Sequence, residues 1–597
     1  DISLDKKGKL TAPGGRIELG GLSVAGEVGL NGNGSLNFPN NVARADVSLT
    51  NGSSVDVRAG GGGFITINAR NLEVAGGSKL RAGIREDSRI PEAQAGNVEI
   101  NASDTVSFSD KASFKVDEGT VENQVANKAK GNAGNIKITT GSLVSDGAKL
   151  STQTLGQGNA GNVIINASDT SLKNKSEIDT EIETENNKNA EGKAGNIEIT
   201  TKSLSLVENS KLQANTEGKG DAGKVIINAS DRISIENSQV LSQVEGENAE
   251  GNSGGIYIKT GSLFLSNPLS GGTNLLSMLS TESQRKGNAG NVIIHASDTV
   301  SLDKSKIETE IEVETENNKH GEGKAGNIEI TTKSLSLNQS ILEANTEGKG
   351  DAGNVIIHAS NDVSIHGPGT LRWDEGDIQT RVEGEKAEGN AGNIEITTKS
   401  LFLDKAAILQ ANTEGKGNAG KVIIRASDRI SLDNTSQILS QVESTGQGNS
   451  GGIEINTGSL SLSNGANVSS QTIGKGNAGN IIINASDTIS LKGENSEIQA
   501  ETEQREVQRE VKGNAGNIKI TTKSLYISDN ASLEADTEAI GDAGNIIINA
   551  SDTVSLNKGE IETRVDKNAQ GKGGNIEINT KFLSLVSDPL NDDRSGT

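Results

Sequence analysis

Cysteine is absent from the 597 residues, and proline occurs only 6 times. Without cysteine there is no disulfide, no thiol nucleophile and no Cys-based metal site. The same absence suits a chain that must cross a membrane unfolded. Proline is scarce while glycine numbers 74, which fits frequent tight turns in regular structure rather than a Pro-rich disordered chain. Aromatic residues make up 2% with a single Trp, so the stacking platforms of dedicated sugar binders are missing. No apolar run approaches the ~18–20 residues of a membrane span. Positive charge is in the minority: 57 Lys and Arg face 80 Asp and Glu, for a net charge of −23. Such a surface repels phosphate backbones and disfavours nucleic-acid binding, while it suits a hydrated exterior or divalent cations. The chain starts at Asp1 with no signal-peptide pattern, and the expectation is a processed form or a fragment.

What the chain has in abundance is one repeated block. GNAGNIEITTKSLFL at 389–403 recurs with edits almost to the last residue. Sixteen blocks share a small residue, a Gly, then Asn, Lys or Gly, then an alternating Val/Ile pair; their glycines run from Gly96 and Gly134 to Gly544 and Gly574. GGFITI puts Gly63 in the same place as a looser seventeenth. Spacings of 27 to 39 residues mean stacked supersecondary units rather than separate globules.

Each block holds three short extended runs. After Gly195 these are NIEITT (196–201), SLSLVENS (203–210) and KLQANTEG (211–218). Ile197 and Ile199 share a face by period-two alternation, as do Leu204 and Leu206. No window carries a 3.6-residue apolar stripe. The pattern predicts an all-β fold: a right-handed parallel β-helix, or β-solenoid, with three short strands per coil and about 17 coils or more. At ~4.8 Å per coil the expected rod is on the order of 80 Å long. Residues 1–60 are less regular and are expected to form irregular first coils, the end of a secretion-domain-like region; 61–597 are expected to be the regular repeats. One coil alone cannot offset the entropy of ordering its residues, so stability must be a nearest-neighbour sum.

The corner motif has a local explanation. Gly permits a positive φ at a tight corner, and Asn tolerates αL and can bond its own backbone or the Asn of the next coil. Asn follows the Gly in twelve of the sixteen blocks, as at Asn135, Asn162 and Asn196; Lys224, Lys421, Gly255 and Gly452 are the exceptions. An interrupted Asn ladder and simple turn preference are both open readings. On the outer face of the first run, polar residues or Tyr alternate with Ile (Lys137, Ile164, Glu198, Ile226, Tyr257). Alternation keeps like charges apart and makes the duplication unit two coils. Surface maintenance explains this stripe, and a lateral docking stripe is the sharper alternative.

Candidate chemistry is sparse. IETEIEVETE at 307–316 places Glu308, Glu310, Glu312, Glu314 and Glu316 on one outer face, and its copy does the same with Asp179, Glu181, Glu183 and Glu185. A solvated acidic face is expected, with weak Ca²⁺ binding as the alternative, because a straight comb diverges where a site needs converging ligands. His295 and His358, both in IIHAS, are expected to be neutral surface substitutions. The NAS triplets at Asn101, Asn166, Asn228, Asn484 and Asn549 recur because the coil recurs and need not be glycosylation sites. The repeat breaks at 266–287 and at HGPGTLRWDEGD, 366–377. The second break gathers Arg372, Trp373, Asp374, Glu375 and Asp377; an inserted corner loop is expected, with a carbohydrate-contacting loop as the alternative. No nucleophile triad, phosphate loop or nucleotide fingerprint occurs. No catalytic, cofactor or metal residue is assigned.

The blocks GNAGNVIINASDT (158–170) and GNAGNIEITTKSLFL (389–403), with TAPGGRIELGG (11–21), resemble the cyanobacterial branch of the filamentous-haemagglutinin-like exoproteins, the passengers of two-partner secretion. The resemblance spans nearly the whole chain. It implies a right-handed parallel β-helix, export through a dedicated outer-membrane pore, and display on or release from the cell surface. An NPN-type motif near the start is usual in that family and is missing here, so an incomplete secretion domain is expected. The resulting expectation is a non-enzymatic extracellular adhesin or fibre shaft whose partners are surface or matrix polysaccharide or protein. A self-assembling filament or sheath subunit, and a polysaccharide-acting β-helix enzyme, are the alternatives.

Overall fold

The computed structural model describes residues 1–32, 34–39, 42–86, 88, 90, 92–109, 120–184, 190–246, 249–268, 276–314, 319–369, 377–504, 512–567 and 569–586, with the side chains of 313, 314, 319 and 320 left aside. Among them every regular element is a strand, and no helix is long and apolar enough to cross a membrane. The chain divides into two compact units. The first holds residues 1–297, 304–306 and 312–321; the second holds 298–303, 307–311 and 322–597.

In the first unit, long strands stack in parallel and in sequence order, from Phe64–Ala75 and Val98–Ser109 through Ile197–Leu206 to Ile256–Ser266. Short strands stack beside them, including Lys149–Ser151, Glu177–Asp179, Lys211–Gln213 and Gln239–Val244. The second unit repeats the scheme. Its long strands include Ile394–Asp404, Val422–Leu432, Ile453–Ser463, Ile481–Lys492 and Ile518–Ser528. Its short strands include Ile408–Gln410, Gln437–Val442, Asn467–Thr472, Glu497–Gln499 and Ser532–Glu534. The expected runs 196–201 and 203–210 thus join into one strand, Ile197–Leu206, while the third run gives the short strand Lys211–Gln213 and then isolated bridges such as Thr216↔Val244 and Lys219↔Glu250. Within 1–60, Ile2–Leu4 and Lys9–Thr11 pair in parallel with Val47–Leu49 and Ser54–Asp56, and Gly29–Leu30 forms an antiparallel hairpin with Leu36–Asn37.

Period-two alternation sends Ile197, Ile199, Leu204 and Leu206 inward, where all four are buried. Outside, the register sets Glu198 between Ile164 and Ile226, and Glu395 between Ile356 and Ile423. Charged side chains therefore sit two strands apart, about 9.6 Å, which weakens their repulsion. The lysines that break the Asn pattern are used on this face: Lys421 Nζ lies 2.8 Å from Glu454, and Lys224 Nζ lies 5.5 Å from the Tyr257 ring centre.

The block glycine is required for a different reason from the one its turn propensity predicts. Gly134, Gly161 and Gly195 lie outside the left-handed region; a Cβ on Gly161 would stand 2.0 Å from the carbonyl oxygen of Gly134 in the preceding coil. Close backbone approach excludes a side chain there. A positive φ falls instead on the first glycine of several blocks, such as Gly158 at 137° and Gly192 at 151°.

The Asn ladder is present. Oδ1 of Asn97 accepts the N–H of Asn135 at 3.0 Å, Asn135 that of Asn162 at 2.8 Å, Asn162 that of Asn196 at 2.8 Å, and Asn196 that of Lys224 at 2.9 Å. In the second unit a run from Asn327 ends on the N–H of Lys421, and another joins Asn480, Asn517, Asn545 and Asn575. The other Asn of GNAGN forms a second ladder. It links Asn390, Asn418, Asn449, Asn477 and Asn514, with Asp351 at its head and Asp542 near its end.

The two-coil unit has a backbone cause as well. The NASDT coil at 484–488 carries a register shift against the TTKS coil beside it, with Asn484 opposite Thr521 and Thr488 opposite Ser524, whereas the coil at 166–170, one residue shorter before its next Leu, pairs with TTKS at 200–203 without one. The second Thr of TTKS spans the bulge: Thr522 Oγ1 lies 3.1 Å from the carbonyl of Asp487 and 3.2 Å from that of Ser524. Thr332 and Thr398 do the same with Asp298 and Asn361.

Candidate functional site

The outward face of the short-strand sheet is where polar side chains accumulate. On each short strand the inward residues are apolar or small (Leu409 and Ala411, Ile438 and Ser440, Val468 and Ser470), and the residues between them point outward. In the second unit these outward rows read Gln410, Leu439, Ser469, Gln499 and, two positions on, Asn412, Gln441, Gln471, Glu501. All of these except Asn412 line a trough of about 340 Å³. Its walls run from Ile408 and Gln437 on one side to Glu443, Glu503 and Glu538 on the other. Among these lining residues none carries a positive charge.

The trough is held by amide and carboxyl ladders that run from coil to coil. Gln410 Nε2 donates to Gln379 Oε1 at 2.9 Å. Gln441 donates to Gln471 at 2.9 Å, and Gln471 donates onward to Glu503 at 2.7 Å. Asn412 reaches Glu443 at 3.0 Å. Stacked primary amides place a donor opposite an acceptor at each step, so each coil sets the side chains of the next. Ser469, 1% exposed, lines the same trough with its Oγ unpaired.

Carboxylates crowd at one end. Burial raises Glu501 well above the ordinary carboxyl range, and its hydrogen-bonded neighbour Glu534, with Asp536 and Glu503, pushes it the same way. Burial and these neighbours therefore favour the protonated form of Glu501. Asp536 is raised to about 6, first by burial, while Arg564 Nη2 at 3.2 Å pulls the other way. Before the trough, burial lifts Glu383 to about 7 against the opposing charge of Arg381, 3.4 Å away.

The acidic combs need correction. Glu308 and Glu310 do point outward, but each is only 6% exposed, and Asp179 is fully buried. They do not form a solvated face, because the outward rows of the short-strand sheet pack coil on coil. In the first unit Lys149 neutralises part of the comb, with Nζ 2.9 Å from Asp179 and 3.6 Å from Glu177. Burial alone would lower the Lys149 pKa; Asp179 and Glu177 outweigh it and raise it. Glu181 is raised by burial, then by Asp179, Glu183 and Glu217. Glu185 and Glu316, and the side chain of Glu314, fall outside the described residues. Among the described residues no three His, Asp or Glu side chains group as a metal site. His295 and His358 are exposed on strand faces, and His358 sits between Thr331 and Thr397.

Of the break at 366–377, Arg372, Trp373, Asp374 and Glu375 lie outside the described residues. Asp377 is buried, accepts the N–H of Ile408 at 2.9 Å, and is raised to about 6 by burial. Sequence reasoning missed the trough and found only the combs. The available signal was Gln at two neighbouring outward places in the third run, Gln410 and Gln499 in one row and Gln441 and Gln471 in the next. Comparison of the chain with protein-family models, with curated proteins and with solved structures finds no match.

Proposed function

We propose that the chain is the shaft of an extracellular, non-enzymatic adhesin. It is read as a right-handed parallel β-solenoid of about 17 coils, related to the filamentous-haemagglutinin-like exoproteins and exported through an outer-membrane pore. The observation that supports this most is the persistence of the same inter-coil bonds within each unit, the Asn ladders above all. A chain built by copying one mechanical unit serves extension and display. The acids of the trough also favour binding over hydrolysis. A glycosidase needs two carboxyls about 5 Å or more apart across the scissile bond, whereas Glu501 and Glu534 bond to each other. Nucleic acid is disfavoured as a partner by the acidic surface.

A self-assembling filament is the second reading. It draws on the same inter-coil ladders, since a coil that bonds its neighbour in this way can bond a coil of a second chain likewise. Electron microscopy of the purified chain, with calcium and with chelator, separates the two. Isolated particles of one size in both conditions support the adhesin shaft. Long fibres with a regular axial repeat overturn it in favour of the filament, and fibres formed only with calcium assign the joint to carboxylates.

A further inference from the structure

We propose that the trough between Ile408 and Glu538 holds a single extended chain of a neutral polysaccharide. The inference rests on the adhesin reading only in taking the partner as a surface or matrix glycan. Its own basis is the chemistry of the trough. The volume, about 340 Å³, lies within the range of ligand clefts. Successive coils repeat every ~4.8 Å, close to the length of one sugar unit in an extended chain, so the four short strands lining the trough match about four units.

The lining selects the ligand class by exclusion and by fit. Carboxyl groups at Glu443, Glu501, Glu503 and Glu538, with no cation among the lining residues, repel polyanions. An extended peptide would need a free strand edge, yet the short strands here are hydrogen-bonded to neighbours on both sides, as Gln437–Val442 is to Ile408–Gln410 and Asn467–Thr472. What the trough offers is alternating amide donors and acceptors. Gln441 and Gln471 each use one amide N–H in the ladder and keep a second for a ligand. Ser469 contributes a buried hydroxyl with no protein partner. Leu439 gives a small apolar floor against which the C–H face of a sugar can rest. Hydroxyl-rich chains are both donor and acceptor at every unit and match this lining without bringing charge.

The test is isothermal titration calorimetry of the full chain at pH 7 with neutral hexasaccharides of glucan, xylan, mannan and galactan, alongside oligogalacturonate and polylysine as charged probes. At least one neutral hexasaccharide is expected to bind, and its trimer to bind more weakly. The double variant Gln441→Ala/Gln471→Ala is expected to weaken binding at least tenfold with an unchanged far-UV spectrum. Glu395→Ala, on the long-strand face, is expected to leave affinity unchanged. Should the double variant misfold, Ser469→Val provides the same reading by filling the floor. No neutral ligand bound at millimolar concentration, preference for either charged probe, or affinity indifferent to the trough variants would each overturn the proposal. Release of reducing sugar from a bound glycan would instead overturn the non-enzymatic reading while leaving the trough as the glycan site.

Discussion

Replacing Gly161 by Ala tests the spacing of the stack directly. The added Cβ would lie 2.0 Å from the oxygen and 2.6 Å from the carbon of the Gly134 carbonyl. Ordinary contact begins beyond 3 Å, so the two coils must part by about an ångström or the backbone must twist. Three bonds cross between those coils nearby: Ile136 N–H to Asn162 O at 2.9 Å, Ala133 N–H to Asn159 O at 2.9 Å, and Asn162 N–H to Asn135 Oδ1 at 2.8 Å. Each is stretched past useful length by such a shift. At about 1 kcal/mol net per bond the loss is about 3 kcal/mol, less the ~0.5–1 kcal/mol that Ala contributes by restricting the unfolded chain. Native-state hydrogen exchange is the assay, because a solenoid opens locally. Protection at Ala133, Ile136 and Asn162 should fall about thirty- to seventyfold, while Ile518 in the second unit keeps its rate. The control is Gly573→Ala. That glycine has no atom within 4 Å of its Cβ and is not left-handed, so the change should be neutral or slightly stabilising. If Gly161→Ala leaves exchange and melting as in the parent protein, close approach is not why glycine is there, and the argument fails.

Two further outcomes follow from buried polar groups. Thr522→Val removes the hydroxyl that reaches Asp487 O at 3.1 Å across the bulge and should cost about 1 kcal/mol; an unchanged urea midpoint would show the carbonyl is served by water instead. Asp377→Asn should make stability less pH-dependent. Burial raises Asp377 from 3.8 to about 6, so the fold favours the protonated acid. Its contribution is fully present below about pH 3.8 and is lost as pH rises through about 6, amounting to about 3 kcal/mol by pH 8. Asn keeps an acceptor for the Ile408 N–H without charge, so the variant should match the parent near pH 3.5 and exceed it at pH 8 in thermal melts. A variant less stable than the parent at pH 8 would mean that Asp377 is charged and paired.

The stacking was legible because period-two alternation and a recurring glycine dictate it locally. Ile197, Ile199, Leu204 and Leu206 go inward wherever the strand lies, and the sequence says so without further context. The reason for the glycine was not legible. A φ preference can be read from a single residue, whereas the 2.0 Å approach of Gly134 O to a Gly161 Cβ depends on which coil lies beneath. The same holds for the second ladder: Asn418 reads as a turn residue until Asn390 is seen to lie below it. Burial of the combs was missed for a third reason. Alternation tells which side of a strand Glu308 faces, but not whether that side is open or lined by neighbouring rows.

These distinctions separate what the repeat must keep from what it is free to vary. The inward rows, the block glycine and the two Asn positions each touch the coil before or after, so a change at one spreads along the stack. The outward positions of the short strands also stack, but through amides and carboxyls that tolerate exchange: Gln410, Leu439, Ser469 and Gln499 occupy one row, and Asn412, Gln441, Gln471 and Glu501 the next. Their variety costs the ladder little, because an amide can follow an amide, as Gln471 follows Gln441, or a carboxyl can accept from it, as Glu503 does. A copied stack of coils can therefore acquire a local binding character on this face without losing its ladders. On that reasoning, recognition should reside in the trough rather than along the long-strand face, where Glu and Ile simply alternate.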